Sequence, residues 1–388
     1  MKILIASDLH WPTINGVATF SRNLAQGLAE RGHEVVVIAP SQKKSGRKYS
    51  EVDENHTVMR TMSLPFPFYQ NFRISMTPQR EVKKIIEDFQ PDIIHIQSML
   101  GIGRATLLYG KKMEIPVVAT NHAMPENLID NLRLLAPFAR PVSYILKSYA
   151  ARFHSNADYV TFPTQSAIDI FSDYGNVAPP IQAISNGIDL SRFKPGKISD
   201  ETRVKFGLPK DQPIISYVGR LDSEKHLSVL LRAAAKLLKQ QPVHVLIVGS
   251  GNDLENLTWL AGELGIEQHV SFTGKVSGQE ITELHQAGTV FCMPSPAELQ
   301  SIATLEAMAS GQPIVVVDGG AVHELCLNGK NGYVCKTDDE ADMAKKLLDV
   351  IKDESLRKKM SVASRSIAEK HDINKTLDKF EQIYNQLI

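Results

Sequence analysis

Two glutamates, Glu298 and Glu306, sit in the segment Pro-Ser-Pro-Ala-Glu298-Leu-Gln-Ser-Ile-Ala-Thr-Leu-Glu306-Ala-Met-Ala-Ser-Gly311. Thr289 to Met293, just ahead of it, reads as a short buried strand. Ile302, Leu305 and Met308 then recur at the spacing of a buried helix edge, and Ser310-Gly311 supplies the stop. This pattern puts Glu298 in a strand-to-helix loop and Glu306 about two turns down the helix. Between them, after Gln300, the unsatisfied first-turn N–H groups near Ser301, Ile302 and Ala303 make an anion site at the positive end of the helix dipole. One carboxylate suits polar hydroxyls beside that anion, the other a ribose further in. Two surface glutamates on an ordinary helix would satisfy the same pattern, so further residues have to decide.

Arg220 and Lys225 follow the expected strand Ile214 to Val218 in Gly219-Arg-Leu-Asp-Ser-Glu-Lys225. Arg presents a fork to phosphate oxygens and Lys a point charge, so the pair suits a diphosphate, although a solvated basic turn has the same composition. Gly249 and Gly251, and Gly274 with Lys275, end two more expected strands, where they wall a nucleotide or simply turn the chain. In the first half, Gly16 stands where the loop Ser7 to Asn15 enters a helix and lets backbone approach a phosphate or sugar. His122 lies just past a strand ending at Thr120. There is no G-x-G-x-x-G and no G-x-x-x-x-G-K-[ST], which counts against a nicotinamide cofactor and a P-loop NTPase.

The elements that must hold these residues alternate between strand and helix. Lys2 to Ser7, Glu34 to Pro40, His56 to Thr61, Asp92 to Ile96, Pro116 to Thr120 and Asp158 to Pro163 read as strands, with helical patterns between most of them. A second array has strands starting at Pro213, Val243, Val270, Thr289 and Pro313, and the chain is helical from about Asp338 to Leu387. Gly196 to Pro213 is polar and punctuated by proline and glycine, as a linker is. Such alternation predicts an α/β protein with two parallel sheets covered on both faces, and a ligand in the cleft at their carboxyl edges. The expected boundaries are residues 1–190 and 191–370, with 371–388 a helix packing back on the first domain.

The bulk properties agree. A chain of 388 residues holds about two domains. Zero formal net charge disfavours nucleic acid as the main partner. Three cysteines without C-x-x-C spacing point away from zinc and disulfides, toward a reducing cytosol. No apolar run is long enough to span a bilayer.

Together these residues resemble glycosyltransferase family 4, the retaining enzymes of the GT-B fold. The resemblance rests on Gly16, Gly219-Arg220 with Glu224-Lys225, Asn186-Gly-Ile-Asp189 with Phe193, and the Glu298/Glu306 segment through Gly311. Pro313-Ile-Val-Val, Glu324-Leu and Asn331-Gly-Tyr-Val334 continue it, so it covers nearly the whole chain. It implies two Rossmann-like domains, with the acceptor on the first and a nucleotide sugar on the second. By the same resemblance Arg220 and Lys225 bind the donor diphosphate, Glu306 the ribose and Glu298 the transferred sugar. His122 acts on that sugar and Gly16 lines the phosphate region. Two departures stand out. Leu299-Gln300-Ser301 follows the first glutamate where many members have a glycine-rich or aromatic step, which bears on sugar identity. Asn15-Gly16 replaces the two glycines of many members.

No Asp-x-Asp occurs, which fits protein cations in place of a metal ion, so no cofactor is expected. The acceptor is read from two stretches. Ser63 to Ile74, with Phe68, Tyr69 and Phe72, is apolar and aromatic and resembles the corresponding loop of the glycolipid-forming members. Asn131 to Ala157 carries Arg133, Arg140, Lys147 and Arg152 and no acidic residue, with Val142, Ile145, Leu146, Tyr149 and Phe153 on one helix face. A basic, one-sided apolar helix suits an anionic lipid surface, and a core-packed helix with a solvated rim suits the same residues. The expected activity is metal-independent transfer of glucose from UDP-glucose to diacylglycerol or a related lipid, by a cytoplasmic protein lying peripherally on the inner face of the membrane. A soluble sugar or polysaccharide acceptor, a nucleotide-sugar epimerase of similar build and a silent sugar-nucleotide-binding module are the rival readings.

Overall fold

Val, Ile and Leu fill the strand patterns of this chain, and in the computed structural model those strands form two separate sheets. The structure describes residues 1–13, 15–66, 72–122, 139–172 and 178–388. Two compact units result, one of Met1–Asn186 with Asn374–Ile388, the other of Gly187–Ile373.

The strands of the first unit are β1 (Lys2–Ala6), β2 (Glu34–Pro40), β3 (Tyr49–Asp53), β4 (His56–Thr61), β5 (Ser63–Pro65), β6 (Arg73–Ser75), β7 (Ile93–Ile96), β8 (Val117–Thr120), β9 (Tyr159–Phe162) and β10 (Ile181–Ala183). Eight of them form a sheet in the order β10-β9-β8-β7-β1-β2-β4-β3. Its pairs are parallel except at the edge, where β3 runs antiparallel to β4, which departs from the all-parallel expectation. β3 alternates intermediate and exposed residues, so no buried run marks it in the sequence. β5 and β6 form a separate antiparallel hairpin.

In the second unit, β11 (Ile214–Val218), β12 (His244–Val248), β13 (Val270–Phe272), β14 (Val290–Met293), β15 (Ile314–Val317) and β16 (Gly332–Cys335) form one sheet. Its order, β13-β12-β11-β14-β15-β16, is parallel throughout. The order reverses at β11, which lies between β12 and β14, so the loops leaving β11 and β14 meet at the carboxyl edge. In doubly wound sheets that is where ligands bind. Helices such as Leu227–Leu238 cover the strands, with Leu227, Leu230, Leu231, Ala234 and Leu237 buried at the 3.6-residue period. Gly196 to Pro213 is not a bare linker. It contains the helix Asp200–Lys205, capped by Ser199 and tied by Ser199 and Lys205 to Glu283 and Glu280 on the Gly278–Ala287 helix.

The helix Ile373–Leu387 belongs to the first unit. Phe380 and Tyr384 are fully buried, the Phe380 ring is tilted against Phe20 at 6.1 Å, and Leu377 fills the space over Gly27. The Tyr384 hydroxyl meets His95 Nδ1 at 2.6 Å, and His95 Nε2 meets Thr120 Oγ1 at 2.7 Å. Arg31 closes the outer side on Asp378 at 2.7 Å and Glu381 at 2.5 Å. Burial, with the nearby His122, holds His95 down to about 3, so this chain of polar groups is neutral. Among the described residues, no helix is long and apolar enough to cross a membrane.

Because Phe380 joins the last helix to the core, Phe380→Ala is expected to cost the first unit about 3–5 kcal/mol, through lost transfer energy and the cavity left behind. Urea unfolding of the first unit, followed by a local probe, checks this. A loss under 1 kcal/mol means that the helix contributes little to that core.

Candidate active site

The second unit brings four of the sequence-selected residues to one edge. After β14 the chain passes through Pro294 to Gln300, bending at Pro296 and at Leu299-Gln300, and Ser301 is the N-cap of the helix Ile302–Ala309. Ser301 caps it by accepting from the Thr304 N–H at 3.2 Å. Glu306 therefore lies just over one turn into the helix, not two, because it stands only four residues after Ile302, where the helix and its apolar spacing both begin. The N–H groups of Ile302 and Ala303 belong to the first turn, which a helix cannot satisfy internally. Gln300, Ser301 and Ile302 are nearly buried.

Lys225 and Glu298 meet directly, Nζ to Oε1 at 2.6 Å, with little solvent access on either side chain. One comes from the loop after β11 and the other from the loop after β14, the two neighbours at the sheet's reversal point. Arg220 is held differently. Its guanidinium donates to Asp222 and, at 2.5 Å, to Glu224, whose side chain is fully buried. Tyr217 Oη donates to the Arg220 carbonyl at 2.8 Å. Asp222 and Glu224 thus fix the arginine, and their place between the two cations was the available sequence signal.

Gly219, Gly249 and Gly274 end neighbouring strands and are laced together. Gly219 N–H donates to the Val248 carbonyl and Gly249 N–H to the Gly274 carbonyl. Gly249 has φ +136°, and a Cβ there would lie 1.9 Å from the Gly219 carbonyl oxygen, so only glycine fits. Lys275 is exposed beside this lacing. Gly319 and Gly320, which the sequence reading passed over, lie beneath the Glu298 loop. A Cβ on Gly320 would reach the Glu298 carbonyl at 2.5 Å, and Ala321 N–H donates to that same carbonyl at 2.7 Å. Two successive glycines after a buried strand were the signal.

The first unit carries its own residues at its carboxyl edge. Gly16 opens the helix Gly16–Glu30, capped by Asn15, and a Cβ on Gly16 would meet only open space. His122 Nε2 is 2.8 Å from Gln97 Oε1, and its ring tilts on Phe20 at 4.9 Å. Burial lowers His122 to about 3, which keeps the imidazole neutral. Donation to Gln97 then leaves Nδ1 as an acceptor.

The helix Ala139–His154 differs from expectation. Pro141, Tyr144, Ile145, Tyr149 and Arg152 form its exposed stripe, with Tyr144 and Ile145 64% and 63% exposed, whereas Phe153 and Lys147 turn inward. Lys147 is only 5% exposed, so its charge is not part of a solvated rim. The reason is phase, since apolar residues lie on both sides of this helix and Lys147 shares the inner stripe with Ala150 and His154. Phe72 packs edge-on against Phe66 at 5.7 Å. Phe68, Tyr69 and the side chain of Arg140 lie outside the described residues.

One cluster among the described residues has metal-ligand chemistry: His10, Asp53 and His56 in the first unit. Asp53 already gives both oxygens to Arg22, each at 2.8 Å. Burial, then the charge of Arg60, depresses His10 to about 3, and the same positive potential opposes a cation.

Known proteins bear on this geometry. Residues 14–192 match the model "Glycosyltransferase Family 4" and residues 198–367 match "Glycosyl transferases group 1". The chain belongs to glycosyltransferase family 4. Among relatives of this glycosyltransferase, alpha-monoglucosyldiacylglycerol synthase of Streptococcus pneumoniae is 28% identical over 81% of the chain and 70% of its own length. A GDP-mannose-dependent alpha-mannosyltransferase of Mycolicibacterium smegmatis is 26% identical, over 87% and 85%. The fold, GT-B, is shared with sucrose-phosphate synthase from Thermosynechococcus elongatus, at TM-score 0.82 and 17% identity over 100% and 99% of the two chains. It is shared also with Anabaena HepE in complex with UDP and glucose, at TM-score 0.77 and 20% identity over 99% of each.

The lacing of Gly249 yields a prediction. Gly249→Ala meets both a backbone oxygen and a left-handed φ, and is expected to cost about 2–4 kcal/mol with loss of nucleotide affinity. Thermal unfolding and a nucleotide titration check it; a neutral result means that the Gly219 loop can shift freely.

Proposed function

We propose that this glycosyltransferase moves glucose from UDP-glucose to a lipid hydroxyl such as that of diacylglycerol, with retention and without a metal ion. The observation that carries the donor half is the Lys225–Glu298 pair beside the capped start of the Ile302–Ala309 helix. It assembles, on one edge, a cation for a diphosphate, free N–H groups for its oxygens and a carboxylate for sugar hydroxyls. Arg220, fixed by Asp222 and Glu224, adds a second cation.

In this reading the anomeric carbon–oxygen bond to the diphosphate breaks while the acceptor oxygen bonds that carbon from the same face. The acceptor proton goes to the departing diphosphate oxygen, so no separate base is needed. Negative charge develops on the diphosphate, and Lys225, Arg220 and the Ile302 and Ala303 N–H groups stabilise it without rearranging, at about 3 kcal/mol per donor. Arrival of the diphosphate draws Lys225 from Glu298, and the freed carboxylate takes sugar hydroxyls. Gly249 and Lys275 flank the nucleotide, Glu306 takes the ribose, and Gln300 and Ser301 line the sugar side. Gly16 and neutral His122 keep, in this reading, the phosphate and sugar roles that the family resemblance implies.

The lipid acceptor is supported by the exposed stripe of the Ala139–His154 helix and by the β5–β6 hairpin, where the cross-strand partners Leu64 and Ile74 are 52% and 41% exposed. Arg152 ends the stripe with a charge suited to anionic headgroups. Two relatives named for monoglucosyldiacylglycerol synthesis, at 28% and 26% identity, favour the same acceptor. A relative named D-inositol 3-phosphate glycosyltransferase, 27% identical over 96% of the chain, favours a soluble acceptor as the second reading. Incubation with labelled UDP-glucose and GDP-mannose and a lipid extract separates them. Label from UDP-glucose in the organic phase is expected; label in a soluble product supports the second reading, and free sugar made without any acceptor overturns transfer.

Lys225→Ala and Arg220→Ala are each expected to cut turnover about a hundredfold or more, since each removes charge most needed in the transition state, and each to lower the unfolding temperature by leaving Glu298 or Glu224 without its cation. Near-normal turnover in either variant removes that cation from the diphosphate assignment. Turnover is expected to survive EDTA, and rescue by a divalent ion after complete loss would point to a metal-held diphosphate.

Ile145→Ser with Tyr144→Ser is expected to weaken co-sedimentation with anionic vesicles about tenfold or more, because both side chains present apolar area for burial. Turnover on a short, water-dispersed acceptor is expected to stay within about twofold, since neither residue belongs to the donor site. Equal vesicle binding by parent and variant would put the membrane contact elsewhere.

A further inference from the structure

Behind Glu306 lies a buried polar chain that the transfer reaction does not itself use. His285, on the Gly278–Ala287 helix, is fully buried, and its Nε2 lies 3.1 Å from Glu306 Oε2. The His285 carbonyl accepts from Gln312 Nε2 at 2.7 Å, and Gln312 Oε1 accepts from Ser216 Oγ of β11 at 2.7 Å. Gln312 and Ser216 are buried too. Phe193 stands edge-on to the imidazole at 5.7 Å and Phe291 tilts over it at 6.1 Å. Space around the chain is tight, for a Cβ on Gly288 would come 2.0 Å from Gln312 Oε1 and 2.6 Å from Ser216 Oγ.

The tautomer follows from the partners. A carboxylate oxygen only accepts, so Nε2 carries the proton and donates to Oε2. Nδ1 then bears a lone pair and has no partner among the described residues. The opposite tautomer would bury an unpaired N–H and turn a lone pair toward the carboxylate. With Oε2 engaged from the protein side, Glu306 cannot swing freely, and Oε1 is left for a ligand. The Glu306 side chain is 11% exposed, so it meets solvent over only a small part of its surface.

We propose that His285 is a positioning residue, which fixes Glu306 so that its outward oxygen addresses the vicinal hydroxyls of a ribose. Donor recognition thereby comes to depend on those hydroxyls. The proposal rests on the assignment of Glu306 to the ribose made above. A charge-assisted bond to a diol is strong when the carboxylate is already oriented. Without His285 the carboxylate keeps its burial but loses its orienting donor, and part of each ribose bond is spent on ordering it.

The test is calorimetric titration with UDP and with 2′,3′-dideoxy-UDP, and with the corresponding guanosine pair, of the parent chain, His285→Phe, His285→Asn and His285→Gln. Phe keeps a ring between Phe193 and Phe291 without a donor, Asn keeps an amide too short to reach, and Gln keeps a donor at near-equal length. The parent is expected to bind its preferred ribonucleotide about tenfold or more tighter than the dideoxy analogue. In the Phe and Asn variants that preference is expected to fall to about threefold or less with analogue affinity unchanged, and in Gln to be largely kept. A parent that does not discriminate overturns the ribose assignment itself. A discriminating parent with equally discriminating Phe and Asn variants overturns the positioning role and leaves the ribose assignment standing. An equal loss of affinity for both nucleotides marks His285 as merely structural and also overturns it. If the Phe variant does not fold, the Asn variant, with its unfolding temperature compared with the Gln variant's, decides.

Discussion

The second unit depends on a single electrostatic constraint, the meeting of Lys225 and Glu298 at the reversal point of its sheet. Both side chains are largely withdrawn from water, and a charge so placed is tolerated only with a partner. The pair therefore locks two loops that the sheet order merely brings near each other. Asp222 and Glu224 fix the neighbouring arginine from one side, while Gly319 and Gly320 let a third loop close under Glu298 from the other. The carboxyl edge is thus a set of charges held in place by one another; in the proposed reading a diphosphate meets Arg220 already oriented and draws Lys225 from Glu298. Such preorganisation, with no solvent to rearrange, is the usual source of catalytic stabilisation.

The two units solve the same problem with different means. In the second, backbone lacing between Gly219, Gly249 and Gly274 holds successive strand ends together, so close at Gly249 that a side chain there would strike the Gly219 carbonyl. In the first, neutral polar groups pass from Tyr384 through His95 to Thr120 and Thr161, so that the β7, β8 and β9 ends are registered by hydrogen bonds across the sheet. A charged histidine at that position would lack a counter-ion, and burial keeps it neutral.

Much of this was legible because alternating apolar runs and glycine stops announce doubly wound sheets. The strands ending before Gly219 and Gly249, Ile-Ile-Ser-Tyr-Val and His-Val-Leu-Ile-Val, read directly as short, mostly apolar runs stopped by a glycine. Phase and pairing were less legible. Lys147 turns inward because apolar residues occupy both sides of its helix, and periodicity alone does not say which side meets the sheet. β3 and the β5–β6 hairpin have no buried run, and their existence is decided by neighbours. β16, Gly-Tyr-Val-Cys, is buried only at its two ends, so no buried run marks it, and it is made a strand by pairing with β15. His285 and Gln312 escaped for another reason: a histidine on an amphipathic helix reads as ordinary until the glutamate 21 positions later is folded against it.

The helix Ile373–Leu387 has a consequence for synthesis. Tyr384 completes the first unit's core by meeting His95 across 289 residues of chain. On the ribosome, everything from Gly187 to Ile373 emerges before that helix does, so the first unit must wait with an apolar face uncovered while the second assembles. Domains made from continuous chain fold in the order of their emergence. Here the order is inverted: the half whose residues appear first is the last to be finished.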